Sequence, residues 1–143
     1  SPTRFHWLGT QRGPYKWNYI VGSGETRVEL YIRGGRQERN NELFDTLLAQ
    51  RASIEAAFGG TLEWQRLGDQ VASRIAYSFQ DGGWGNESEW PRLVQRSVET
   101  MGRLYGAISP IVYPEGLEAP DGLGRPFQGL AALAWQQPRP RGR

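Results

Sequence analysis

The fold is decided between residues 15 and 33. Tyr15 to Val21 reads YKWNYIV, and Arg27 to Arg33 reads RVELYIR, with Gly22-Ser23-Gly24-Glu25-Thr26 between them. Apolar side chains fall at 15, 17, 19 and 21, and again at 28, 30 and 32, the period of two that marks a strand with one buried face. Glycines in the connection accept positive φ in a tight turn, so the two runs predict an antiparallel hairpin. Its second strand turns Arg27, Glu29, Tyr31 and Arg33 away from Val28, Leu30 and Ile32.

Downstream, Gly34-Gly35 breaks the strand, and Asn40 or Asn41 suits the N-cap of a helix whose stripe is Phe44, Leu47, Leu48, Ile54 and Phe58. Gly59-Gly60 provides a left-handed stop. A third strand is expected where Leu62, Trp64 and Arg66 alternate with Glu63 and Gln65. A fourth runs from Ser73 to Phe79, with Ile75, Tyr77 and Phe79 on one face and Arg74 and Ala76 on the other. After the loop 81–86, Asn86 and Glu89 have capping-box spacing, and Pro91 is tolerated in a first helical turn. Trp90, Val94, Met101, Leu104, Tyr105 and Ile108 then share one face of a long second helix.

The order ββαββα predicts an α+β two-layer sandwich, a four-stranded antiparallel sheet with two helices on one face. The uncovered face would carry Tyr31, Arg33, Arg27 and one of Arg66 or Arg74. Six of the nine prolines lie from Pro110 onward, so residues 1–109 read as one domain and 110–143 as an irregular tail. Within that tail, residues 130–135 suit one docked helical turn.

At 143 residues with 38% apolar and 22% charged side chains, the chain has the composition of one globular domain. No apolar run approaches the roughly 18 residues a membrane-spanning helix needs. Cysteine is absent and His6 is the only histidine, which removes disulfides, thiolate nucleophiles and sulfur- or multi-histidine metal sites. No catalytic residue, metal site or cofactor is therefore expected. Residues 1–39 carry seven cations against three acids, residues 40–120 six against eleven, and residues 121–143 four against one. Basicity sits at the two ends. A chain opening on Ser1, with Met101 its only methionine, reads as a piece of something longer.

Arg27-Val28-Glu29-Leu30-Tyr31-Ile32, Asn41 with Phe44-Asp45 and Leu47, Ile54-Glu55 with Phe58-Gly59, Leu62-Glu63-Trp64 with Arg66-Leu67, Ser73-Arg74-Ile75 and Trp90-Pro91 occur in this order. Through them residues 17–108 resemble an uncharacterised domain family, a domain of unknown function. It is found at the C-terminus of bacterial and archaeal proteins, beside restriction-endonuclease-like nucleases of the PD-(D/E)XK kind. The resemblance implies a cytoplasmic prokaryotic protein of DNA processing or antiviral defence, and assigns no catalytic residues. No acid stands two positions before Lys16, the only lysine, since Pro14 occupies that place. Any nuclease would be an attached or associated domain.

The candidate site is a nucleic-acid surface on the hairpin, with Lys16, Arg33, Arg36 and Arg39 on phosphates and Trp17 or Tyr31 stacking on bases. The same residues also suit a solvated rim around a cross-strand tyrosine. Trp84 and Trp135 either cap the core or anchor a partner, which leaves a protein-interaction or homo-oligomeric module as the alternative. Gly22-Ser23-Gly24 lacks the third glycine and the following helix of a dinucleotide fingerprint. Asp81 to Asn86 lacks the lysine and hydroxyl of a phosphate loop. Glu29 and Glu63 suit either a carboxylate pair across the sheet or ion pairs with Arg27, Arg66 and Arg74.

Overall fold

The computed structural model describes residues 3–6, 13–22, 25–79 and 87–115, of which 3–6 as backbone alone. Five strands, β1 (Thr3–His6), β2 (Tyr15–Val21), β3 (Thr26–Ile32), β4 (Glu63–Leu67) and β5 (Ala72–Phe79), form one sheet. Their order is β1-β2-β3-β5-β4, and every neighbouring pair is antiparallel. Helices α1 (Gln37–Leu48), α2 (Arg51–Phe58) and α3 (Trp90–Val112) complete the fold, with short 3₁₀ turns at Gly68–Gln70 and Glu87–Glu89. This is the expected α+β sandwich, with one more strand at its edge and the first helix in two pieces.

The alternation of the hairpin sets the layers. Trp17, Tyr19 and Val21 of β2, Val28, Leu30 and Ile32 of β3, and Ile75 of β5 are buried together with Phe44, Leu47, Ile54, Phe58, Met101, Leu104 and Ile108 of the helices. Ring contacts bridge the layers: Trp17 lies 4.8 Å from Tyr105, and Phe58 lies 5.5 Å from Tyr77. The stripe expected for the last helix is buried throughout.

Three boundaries and one side-chain placement differ from expectation, each for a local reason. Helix α1 starts at Gln37, with Arg36 in extended conformation at its N-cap, so Asn40 is not the cap. Asn40 is instead buried, and its Nδ2 donates to Ser73 Oγ at 2.9 Å, tying α1 to β5. The stripe from Phe44 to Phe58 is interrupted at Ala49-Gln50, where Gln50 leaves helical geometry. Helix α3 continues through Pro110 to Val112, three residues into the expected tail. Pro110 removes one backbone donor, and the helix ends shortly after it. Arg66 points to the helix side, pairing with Asp45 and lying over the Phe44 ring, so it is not on the opposite face. That face is not open as expected, since Asn18, Ile20, Glu29 and Ala76 at its middle are buried.

Two glycines are required where they stand. Gly59 takes φ +91° and closes α2 through its N–H to Glu55 O at 2.8 Å. At Gly34 a β-carbon would sit 2.6 Å from the Asn40 backbone nitrogen. The chain leaving β3 thus passes directly against α1, which fixes where Arg33, Arg36 and Arg39 emerge.

Glu55 joins α2 to β4. It accepts hydrogen bonds from the Leu62 amide at 2.9 Å, the Trp64 indole at 3.0 Å and Arg51 Nε at 3.4 Å. The Leu62 amide first, then the indole, hold its carboxyl below its ordinary pKa. A depressed folded value means that stabilisation is present above the unfolded pKa and is lost as pH falls through the folded one. Thermal melts of Glu55→Gln should therefore lie below the parent at pH 7 and converge with it toward pH 3. Parallel melts at all pH values would contradict this role.

Candidate nucleic-acid interface

Register defines what shares the sheet face opposite the helices. Lys16 pairs Tyr31, Tyr31 pairs Arg74, and Arg74 pairs Gln65. One step on, Asn18 pairs Glu29, Glu29 pairs Ala76, and Ala76 pairs Glu63. Glu29 and Glu63 are thus separated by Ala76 and do not form a carboxylate pair. Glu29 is 0% exposed. Its Oε1 lies 3.1 Å from Arg27 Nε and 3.5 Å from Arg74 Nη1, and its Oε2 accepts from Asn18 Nδ2 at 2.9 Å. Arg74 Nε also donates to Gln65 Oε1 at 2.8 Å. Two of the expected surface cations are consequently committed to an internal ion cluster. The middle of this face is a structural network rather than a binding surface.

The remaining candidates lie at one end of the sheet, where β2 begins, β3 ends and α1 starts. Lys16, Arg33, Arg36 and Arg39 are all exposed. Arg33 follows β3 directly, its N–H donating to Pro14 O at 2.8 Å. Arg36 is the N-cap of α1, and Arg39 lies in its first turn. Tyr31 is half-buried, and its hydroxyl donates to Gln70 Oε1 at 3.3 Å. The acids here are Glu38, whose Oε1 stands 4.0 Å from Arg36 Nη1, and the exposed Asp69. An ion pair that long, between side chains 72% and 88% exposed, neutralises little.

Trp17 does not belong to this site. It is fully buried, packed on Tyr105, with its Nε1 donating to Tyr113 Oη at 3.0 Å. The period-two alternation had already put residue 17 on the core side, which excludes base stacking. Tyr15, which sequence reasoning did not select, is half-buried at this end and stands edge-on to Tyr113 at 5.9 Å. Burial raises its pKa, nearby Arg39 lowers it, and Tyr113 raises it, with a net upward shift that keeps the hydroxyl neutral. The signal that marks Tyr15 is its place as first residue of the strand beside Pro14 and Lys16. Trp84 and Trp135 lie outside the described residues.

Helix α1 carries its cations at the wrong pole. A helix N-terminus has a partial positive charge, so Arg36 and Arg39 there cost stability, roughly 0.3–1 kcal/mol each. No side chain caps the first-turn amides. Four cations, a helix N-terminus and two half-buried tyrosines therefore lie at one end of the sheet, Lys16 and Tyr31 on the face away from the helices and Tyr15 on the helix side. Such a surface attracts phosphates and offers aromatic edges beside them.

Among the described residues, no group of three or more acidic or histidine side chains is placed to hold a metal ion, and no helix is long and apolar enough to cross a membrane. No curated protein and no solved structure matches the chain. One family profile does, across residues 1–112, from before β1 to the end of α3. The chain belongs to the family of the domain of unknown function DUF4268.

Proposed function

We propose that this chain is a non-catalytic accessory module that binds nucleic acid through the end of the sheet bearing Lys16, Tyr31, Arg33, Arg36 and Arg39. We further propose that it works beside a restriction-endonuclease-like nuclease in a prokaryotic protein of DNA processing or defence. The observation that supports binding most is the placement of Arg36 and Arg39 against the dipole of α1. A fold optimised for stability alone would put Ser, Asp or Asn at the N-cap. Here the only offset among the described residues is Glu38 in the first turn, whose pairing with Arg36 is long and exposed, and residues that break a local rule so weakly compensated are commonly retained for function.

The test uses that conflict. Arg36→Asp supplies a capping carboxylate, so it should raise stability by about 0.5–1 kcal/mol in urea unfolding. The same change should weaken binding of a fluorescein-labelled single-stranded oligonucleotide, read by anisotropy at low salt. For the parent chain the logarithm of affinity should fall linearly with the logarithm of salt concentration. A parent chain with no salt-sensitive complex, or an Arg36→Asp variant that binds as the parent does, defeats the reading.

A further inference from the structure

The sheet face away from the helices is shut at its middle, although Phe44, Ile54, Met101 and the rest of the helical stripe pack on the other side. Asn18, Glu29 and Ala76 are 0% exposed there, and Ile20 is 5% exposed. Neighbours within a sheet screen one another sideways, not from above, so a row closed to this degree needs a cover. The arginines of this face repeat the point. The side chains of Arg27 and Arg74 are 19% exposed, against 51%, 48% and 65% for Arg51, Arg66 and Arg92 in ion pairs on the outer surface. The Gly68–Gln70 turn meets this face at its Tyr31 end, where Gln70 receives the Tyr31 hydroxyl.

The burial arises within one chain, which limits the cover to segments outside the described elements. Residues 80–86 leave β5 at Phe79 and rejoin at Glu87, in the turn before α3. Reaching back to Ala76 takes about 10 Å each way at roughly 3.3 Å per residue, nearly the whole span of seven residues. Residues 7–12 leave β1 where His6 pairs Asn18, and return to Gly13. Ala76 lies three strands from His6, about 14 Å, and a six-residue span of about 20 Å cannot go there and come back.

Residues 116–143 extend about 90 Å at roughly 3.3 Å per residue, ample for the crossing. They start near its edge: Tyr113 stands 5.9 Å from Tyr15, the first residue of β2, and accepts the Trp17 Nε1 hydrogen bond. Their most apolar stretch is Leu130-Ala131-Ala132-Leu133-Ala134-Trp135. One helical turn of it sets Leu130, Leu133 and Ala134 on a single side. The Trp135 ring beside them suits the guanidinium planes of Arg27 and Arg74.

We infer that residues 116–143 fold back across this face, with Leu130 to Trp135 seated over Asn18, Ile20, Glu29 and Ala76. The sheet is then enclosed on both sides, and its second cover lies beyond residue 112, where the family profile ends. The inference does not depend on nucleic-acid binding.

The chain has no cysteine, so Gln137→Cys carries a nitroxide spin label at one defined place just past the segment. Amide NMR of the full labelled chain should show loss of the Asn18, Ile20, Glu29 and Ala76 signals, which return when the nitroxide is reduced. Signals of Ser53 and Ala57, on the exposed side of α2, should be retained. Leu130→Ser with Leu133→Ser in the same labelled chain should restore the lost signals. Retained signals across the face, loss centred on the helices, or loss that survives the two serines would each overturn the inference. Equal loss in unlabelled chains mixed with labelled ones would also overturn it, by assigning the face to a second copy.

Discussion

Glu29→Ala should destabilise the fold by about 3 kcal/mol, although this side chain lies on the sheet face away from the helices. Glu29 is completely buried between Arg27 and Arg74, whose side chains are each 19% exposed. Removing the carboxylate leaves two largely buried guanidinium groups facing each other and deprives Asn18 Nδ2 of its acceptor. Breaking a buried ion pair by deleting one partner costs roughly 3–5 kcal/mol, and the residual exposure of both arginines places this case near the lower bound. Urea denaturation should show a reduced midpoint with an unchanged slope. Adding Arg74→Ala should cost less than its effect in the parent, because the second change relieves the repulsion created by the first. A loss below about 1 kcal/mol would mean that the cluster is solvated and that Arg27 and Arg74 remain available to ligands.

The second large effect concerns binding. Replacing Arg33, Arg36 and Arg39 together by Gln should reduce the salt slope of oligonucleotide binding by about two, since each phosphate contact contributes roughly 0.7 on a single strand. Affinity at low salt should fall at least about tenfold, uniformly across base sequences, because phosphate contacts carry no sequence information. All three side chains are exposed, so the melting temperature should stay near that of the parent or rise. Arg51→Gln and Arg92→Gln serve as controls, because these arginines are exposed on α2 and α3, away from the sheet end. Equal losses in the controls would identify binding as a response to overall charge.

Much of this architecture is legible in the sequence because half-buried strands and amphipathic helices write their burial as a period. The alternation from Tyr15 to Ile32 gives the hairpin and its inner face, and Trp90 to Ile108 gives the buried stripe of α3. Elements that lack such a period were not legible. Strand β1 spans four residues, too few to show an alternation, and it joins the sheet only through β2. The first turn of α1 is Gln37, Glu38 and Arg39, polar throughout, so the helix seemed to begin at the asparagines. The break at Ala49-Gln50 was hidden because Phe44, Leu47, Ile54 and Phe58 face one core across it.

The site was legible in part, and the limit was strand order. Arg33, Arg36 and Arg39 could be gathered from sequence because they are close along the chain. The expected ion pairing of Glu29 with Arg27 or Arg74 is also found. That Glu63 would take no part, and that Arg66 would pair with Asp45 instead, depended on β5 inserting between β3 and β4. Trp17 was misassigned by letting its aromatic chemistry outweigh its parity in the strand. Parity decides, because burying so large a side chain on the core face is worth about 2–3 kcal/mol.

The most direct test of the binding surface is a backbone-amide NMR titration of the whole chain with a short single-stranded oligonucleotide at low salt. Perturbations concentrated on Lys16, Tyr31, Arg33 and the first turn of α1, through Arg39, are predicted. Perturbations confined to other surfaces, or none at saturating oligonucleotide, would contradict the account.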